Sequence, residues 1–259
     1  MVADRLKNGP AGRVALITGS GKRRIGSHVA DALAERGDTV VIHYRSSAAE
    51  AEERLAQYQK RGVTAMAVQA DLSDETAVRS MVGVILKKYG RLDLLVNTAG
   101  LWESKKLEEV TAADLRRHFE VNILGTFLCS QQAGLAMVQQ QEGGCIITFG
   151  DWASKRPYPN YAAYFPSKGA IPTLTRTLAV ELGSRNPRVR VNCILPGPVL
   201  LPPDLPAAER EEAIGATLVR REGDPRNIVQ AVHFLIENDF VTGVSLPIDG
   251  GRSIFAKGF

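Results

Sequence analysis

The sequence predicts an α/β protein built on a doubly wound parallel sheet with helices on both faces. Three observations carry this. Short β-branched apolar runs recur along the chain, seven in all. Longer stretches of helical periodicity separate them, and a repeated β-α-β order demands parallel strands joined by right-handed crossovers. The runs are continuously apolar and do not alternate with polar residues, so each strand is to be buried on both faces.

The elements follow in order. The strands are VALIT (14–18), TVVIHY (39–44), AMAVQA (65–70), LDLLVN (92–97), CIITF (145–149), VRVNCIL (189–195) and VSLPI (244–248). Helical patterns fill 25–36, 47–61, 74–89, 111–140, 160–184 and 225–237. Pro166 and Pro172 fall inside the fifth of these, where each removes a backbone donor, so local distortion is expected. The Pro-rich stretch LPGPVLLPPDLP (195–206), followed by AAEREEAIGATL, breaks the alternation. Alone it reads as a surface excursion; beside the motifs below it reads as a substrate loop near 196–220 carrying a short helix.

Bulk composition narrows the function classes. A chain of 259 residues with 44% hydrophobic content suits one domain over 1–259. The net charge of +4 comes from 32 basic and 28 acidic residues spread along the chain. No basic stripe points to nucleic acid. No apolar run reaches the length of a membrane span. The N-terminal MVADRLKNGPAGR lacks the apolar stretch of a secretory signal, so a cytoplasmic protein with a small-molecule substrate is expected. Cys129, Cys145 and Cys193 lie far apart in apolar runs and read as buried thiols, with neither metal nor disulfide spacing. His28, His43, His118 and His233 form no cluster, so no metal site is expected.

The first strand runs into ALITGSGKRRIGSHVADALAERG. Gly19, Gly21 and Gly26 permit a tight turn and close approach of backbone to a diphosphate, with a helix N-terminus behind them. Gly19, Ser20, Arg24 and Ile25 are the loop's candidate cofactor contacts. The second strand ends in HYRSS, and no acid follows until Glu50. Tyr44, Arg45 and Ser46 stand where a cofactor ribose is read. Arg45 and the hydroxyls suit a 2′-phosphate through charge-assisted hydrogen bonds, which favours NADP(H) over NAD. The plainer alternative is a polar turn with Ser47 as helix N-cap.

TGSGKRRIG (18–26), ADLSD (70–74), NTAG (97–100), VNILG (121–125), YFPSK (164–168), LPGPV (195–199) and PIDGG (247–251) occur in one order. In that order the chain resembles the short-chain dehydrogenase/reductase family. The resemblance implies a single Rossmann domain with a seven-stranded sheet, a nicotinamide cofactor, and dimers or tetramers, here taken as a homotetramer. It implies that Asp71 and Leu72 flank the adenine and that Asn97, Ala99 and Gly100 pass behind the ribose. Tyr164 would donate the proton and Lys168 would hold the nicotinamide ribose. Asn122 would orient a relay water, and Pro196, Gly197 and Val199 would line the carboxamide side.

The chain departs from the family pattern at three points. Its glycine loop is one residue longer, NTAG replaces the commoner NNAG, and Asp151 stands thirteen residues before Tyr164 in place of a serine. A carboxylate there, Arg23 and Arg24 before IG, HYRS ending strand 2 and Trp102 after NTAGL together resemble the pteridine and dihydromonapterin reductases. Their shared logic is chemical. A Lys⁺ about 4 Å from a phenol at an effective dielectric near 20 favours the phenolate by roughly 4 kcal/mol. A carboxylate at the same distance from a developing alkoxide costs about as much. Protonating a C=N nitrogen instead creates a cation that a carboxylate stabilises. A substrate pterin is therefore expected to meet Arg24, Trp102, Asp151 and Tyr164, with Trp102 free to stack on a flat ring. Trp102 as a core residue is the alternative, and Trp152 reads as packing. The competing functions are a carbonyl reductase with Asp151 protonated and a silent NADP-binding regulator. The intact Tyr164/Lys168 pair argues against the regulator.

Overall fold

Strand polarity decides where a site can lie. The computed structural model describes residues 12–255, so residues 1–11, most of the stretch read for a secretory signal, lie outside the described residues. In chain order the elements are β1 Val14–Thr18, α1 Ile25–Glu35, β2 Thr39–Tyr44, α2 Ala48–Lys60, β3 Ala65–Gln69, α3 Glu75–Tyr89 and β4 Leu94–Asn97. Then come α4 Ala112–Val138, β5 Gly144–Phe149, α5 Tyr164–Gly183, β6 Val189–Pro196, α6 Ala207–Gly215, α7 Pro225–Glu237 and β7 Ser245–Ile248. The strands form one seven-stranded sheet in the order β3-β2-β1-β4-β5-β6-β7. Every pairing is parallel, with registers such as Ile17↔Ile42 and Ile17↔Val96. The winding reverses between β1 and β4, so a crevice opens at their carboxyl ends.

The five inner strands bury on both faces as expected, whereas the edge strands β3 and β7 stay largely half-buried because each has a neighbour on one side only. Leu16, Leu95 and Ile146 face α3, α4 and α5 through Ile85, Leu128 and Leu178. Their strand neighbours Ile17, Val96 and Ile147 face α1, α2 and α7 through Leu33, Tyr58 and Ile228. Burying one such aliphatic side chain stabilises by about 1.5–3 kcal/mol, which outweighs any single surface ion pair.

Two boundaries and two helix interiors differ from the sequence pattern. β4 begins at Leu94 because the Asp93 carboxylate accepts from Val14 N at 2.8 Å and from Arg91. α5 begins only at Tyr164, since Asn160 adopts a left-handed φ of 72° that ends the turn before it. The 111–140 pattern forms one helical pass interrupted by a π turn at Glu120–Leu124. The distortion expected at the prolines does not break α5. Pro166 sits in the first turn, where no donor is required, and the helix continues through Pro172. α4 is also long and apolar enough to cross a membrane by length and composition, a property missed by reading runs alone. Half of its most apolar stretch is buried in the protein.

Candidate active site

The crevice is floored by backbone held in unusual closeness. Gly19 has φ +68°, and a Cβ there would lie 2.8 Å from Ala99 Cα. A Cβ on Gly21 would come within 2.9 Å of Tyr44 Cβ, and one on Gly26 would collide with Thr98 Oγ1. The extra loop residue is accommodated in the exposed Lys22–Arg23–Arg24 segment, and α1 begins at Ile25.

His43 fixes this loop, a role the sequence reading did not assign. Its Nδ1 accepts from Gly19 N at 3.0 Å, so Nε2 carries the proton toward Ala70 O, also at 3.0 Å. One buried imidazole thus ties the loop after β1 to the ends of β2 and β3. Burial holds its pKa below the ordinary histidine value, which keeps this tautomer neutral. Ser20 Oγ adds a second tie, donating to Ile17 O and accepting from His43 N.

At the end of β2, Arg45 and Ser46 are exposed and Tyr44 is half-buried. Asp71 is exposed beside them. Hydrogen bonds from Ser73, and then the nearby Arg45 charge, hold its carboxyl below the usual range. Leu72 is buried against Gly125. Arg24 is exposed and bonds through its backbone to the Ser27 hydroxyl. Asn97 turns inward, its Nδ2 donating to Ser130 at 3.0 Å. Ala99 N donates to Thr18 Oγ1. Gly197 leaves no room for a side chain against Asp249, and Pro196 and Val199 flank it. Close backbone, exposed basic side chains and a helix N-terminus at one crevice fit a dinucleotide.

Beyond β4 and β5 lie the candidate catalytic groups. Tyr164 opens α5 and Lys168 follows one turn later, both buried. Asp151 caps a single 3-10 turn, Trp152–Ser154, its Oδ1 accepting from Ala153 N at 2.7 Å. Its Oδ2 accepts from Tyr164 Oη at 2.8 Å. Lys168 Nζ donates to Phe149 O at 2.9 Å. Asn122, inside the π turn, clamps Leu101 with a bond to each backbone group and donates to Ser167 Oγ at 2.9 Å. Gly100 packs bare against both Asn122 and Lys168.

The electrostatics correct one expectation. The phenol was to be drawn toward ionisation by Lys168. Instead burial, and then the Asp151 charge, hold the Tyr164 pKa well above the ordinary value. Burial lowers that of Lys168, and burial raises the Asp151 carboxyl, against the pull of the Ala153 amide and the phenol. Tyr164 therefore keeps its proton and directs it at a carboxyl whose own hold on a proton is strengthened by burial.

Trp102 is no core residue. It is 45% exposed and stacks on Tyr161 at 5.5 Å and 13°. Trp152 packs as expected, with Tyr158 against it and the Arg252 guanidinium 4.7 Å from its ring centre. Tyr161, Arg252 and the Phe149 carbonyl escaped the sequence reading, since none belongs to a spacing motif.

Residues 19–253 match the family model described as enoyl-(acyl carrier protein) reductase. An uncharacterised oxidoreductase of Methylorubrum extorquens is 37% identical over 93% of this chain and 97% of its own. This chain belongs to the short-chain dehydrogenase/reductase family. Its short-chain relatives include versicolorin reductase 1 of Aspergillus parasiticus, 33% identical over 93% of this chain and 96% of that one. The short-chain dehydrogenase/reductase of Serratia marcescens superposes with a TM-score of 0.85 at 33% identity, over 94% of this chain and 98% of that one. As a short-chain oxidoreductase the protein draws on NAD(H) or NADP(H) for its hydride chemistry.

Proposed function

We propose that this oxidoreductase uses NADPH to reduce a C=N bond in a pterin- or folate-like heterocycle, in the manner of the pteridine reductases. The observation that carries the reading is the 2.8 Å hydrogen bond from Tyr164 Oη to Asp151 Oδ2. The coenzyme supplies the hydride. It would rest on the Gly19–Ile25 loop, with Arg45 and Ser46 at its 2′-phosphate. Asp71 and Leu72 would lie at the adenine, and Asn97, Ala99 and Gly100 behind the ribose. Lys168 would hold the second ribose, and Pro196, Gly197 and Val199 the carboxamide side. Tyr164 Oη gives its proton to the substrate nitrogen, and Asp151 stabilises the cation so formed. Asp151, once it has taken a proton from solvent, reprotonates the Tyr164 phenolate along the same hydrogen bond. Asn122, locked in the π turn, orients the relay water behind Lys168. The exposed indole of Trp102 offers a flat face to a flat ring.

A second reading, carbonyl reduction, is favoured by the name of the versicolorin reductase relative. It requires Asp151 to be protonated in turnover, since an ionised carboxylate about 4 Å from an alkoxide costs roughly 4 kcal/mol. Steady-state NADPH oxidation with 7,8-dihydrobiopterin and with diacetyl separates the two. Turnover of the pterin at a kcat/KM at least tenfold above that of the ketone is expected; the reverse order favours the carbonyl reading. No turnover with either, despite coenzyme binding, leaves the silent regulator. Dissociation constants for NADPH and NADH test the coenzyme. NADPH is expected to bind tighter, and Arg45→Ala to lose about ten- to a hundredfold in NADPH affinity, the worth of one charged hydrogen bond.

A further inference from the structure

The loop after β6 carries α6, and not one residue of that helix is buried. Its apolar contacts are therefore shallow, limited to partly buried residues such as Ala213 and Ile214. Its N-terminal half is tied within the loop itself. Arg210 bonds Glu222 at 2.5 Å and Pro202 O at 2.8 Å, and Glu222 accepts from Leu201 N. Its C-terminal end is tied elsewhere. Arg252, beyond β7, donates to Ala213 O at 2.6 Å and to the Glu212 carboxylate at 3.2 and 3.3 Å. The same guanidinium lies over the ring of Trp152, next to Asp151.

We propose that Arg252 is a positioning residue that locks α6 onto the Trp152 face, and so sets both the closed form of the substrate loop and the seat of Asp151. The side chain is only 12% exposed despite its charge, and its burial is compensated by carbonyl, carboxylate and indole together. A cation at the last turn of α6 also meets the negative end of the helix dipole. Glu212 is 61% exposed, so the ion pair itself adds little; the carbonyl bond and the indole face hold the guanidinium. Arg156, four residues past Trp152, donates to the carbonyls of Arg252 and Phe255, which fastens the Arg252 segment from the other side. Burial, and then the Glu209 charge from α6, raise the Tyr161 phenol pKa. Loosening Arg252 then frees α6 and Trp152 together.

The test needs no substrate, so its outcome is separable from the pterin reading. Amide hydrogen exchange is followed in the full-length protein for Arg252→Ala, Arg252→Lys and Glu212→Gln. In Arg252→Ala, exchange across 207–216 should quicken about tenfold or more while α7 stays within about twofold. Glu212→Gln should remain near wild type. Unchanged exchange across 207–216 in Arg252→Ala overturns the proposal. Should that variant open α7 as well, Arg252→Lys decides, since it keeps the charge and loses the fork. Loosening of α6 alone supports the lock, and equal loosening of both helices, or of neither, overturns it. With whichever of dihydrobiopterin or diacetyl is turned over, KM should rise about tenfold in Arg252→Ala while NADPH affinity holds. An unchanged KM also counts against the lock.

Discussion

Asp151 concentrates the chemistry of the site in one side chain, and two substitutions separate its charge from its shape. Asp151→Ser removes the carboxylate while leaving a small donor. Pterin reduction is expected to fall about 100-fold in kcat/KM, and any weak ketone activity to rise, because an alkoxide then meets a hydroxyl donor. NADPH affinity should hold, since Asp151 bonds Tyr164 and Ala153 and lies apart from the glycine loop. Paired kcat/KM values for both substrates check this, and undiminished pterin turnover refutes it. Asp151→Asn tests the cost of burial. The folded carboxyl has a raised pKa, so the folded state holds its proton more tightly than the unfolded chain does. Its contribution to stability is full below the ordinary carboxylate range and is lost as pH rises through the folded pKa. The neutral variant escapes that loss. Its melting temperature should exceed that of wild type by about 2–4 °C near pH 7, with the gap closing toward about pH 4. A gap independent of pH would mean that Asp151 does not titrate in burial. At this scale the Asp151, Tyr164 and Lys168 set was legible from spacing along the chain. The partner of Lys168 was not, because a backbone carbonyl leaves no trace in a sequence. Nor was the burial of Tyr164, which together with the Asp151 charge holds its pKa above the ordinary value where Lys168 alone was expected to lower it.

Elements were legible wherever an apolar run had two buried faces, and less so where one side chain overrides a pattern. Asn160 delays α5, Asp93 shortens β4, and the π turn that aims Asn122 inward has no periodic signature. The glycine loop is the clearest such case. Its glycines were readable, yet its conformation depends on His43, whose bonds to Gly19 and Ala70 no spacing motif announces. His43→Ala leaves the Gly19 amide and the Ala70 carbonyl without their partner. Fluorescence titration is expected to give about a tenfold weaker NADPH affinity, the order of one or two lost buried hydrogen bonds. The Tyr164–Asp151 bond lies after β5 and should be untouched, so kcat at saturating coenzyme should change little. A fall in kcat with intact affinity would place the effect of His43 outside the loop.

At the scale of the molecule, the outer faces of α4 and α5 raise a question that one copy of the chain does not answer. The inner faces of both helices pack on the sheet through Leu128, Met137 and Leu178. Outward they still present Leu115, Phe119, Leu124, Leu135 and Val180, each at least 39% exposed. Single exposed apolar residues are ordinary; a row of them on two neighbouring helices is the mark of a covered face. The apolar character of α4, high enough to pass for a membrane span by composition, has the same cause if both of its sides are buried in an assembly. A second copy is the occupant proposed here, because a twofold axis lets one face cover itself, and a second axis then closes a homotetramer. Light scattering at micromolar concentration should give four times the chain mass. Val180→Glu with Leu135→Glu should reduce that mass and leave far-UV circular dichroism unchanged, since neither side chain is buried in the monomer. A wild-type protein that scatters as a monomer refutes the assembly. A double variant that remains tetrameric moves the interface to another face, with β7 at the sheet edge the next place to substitute.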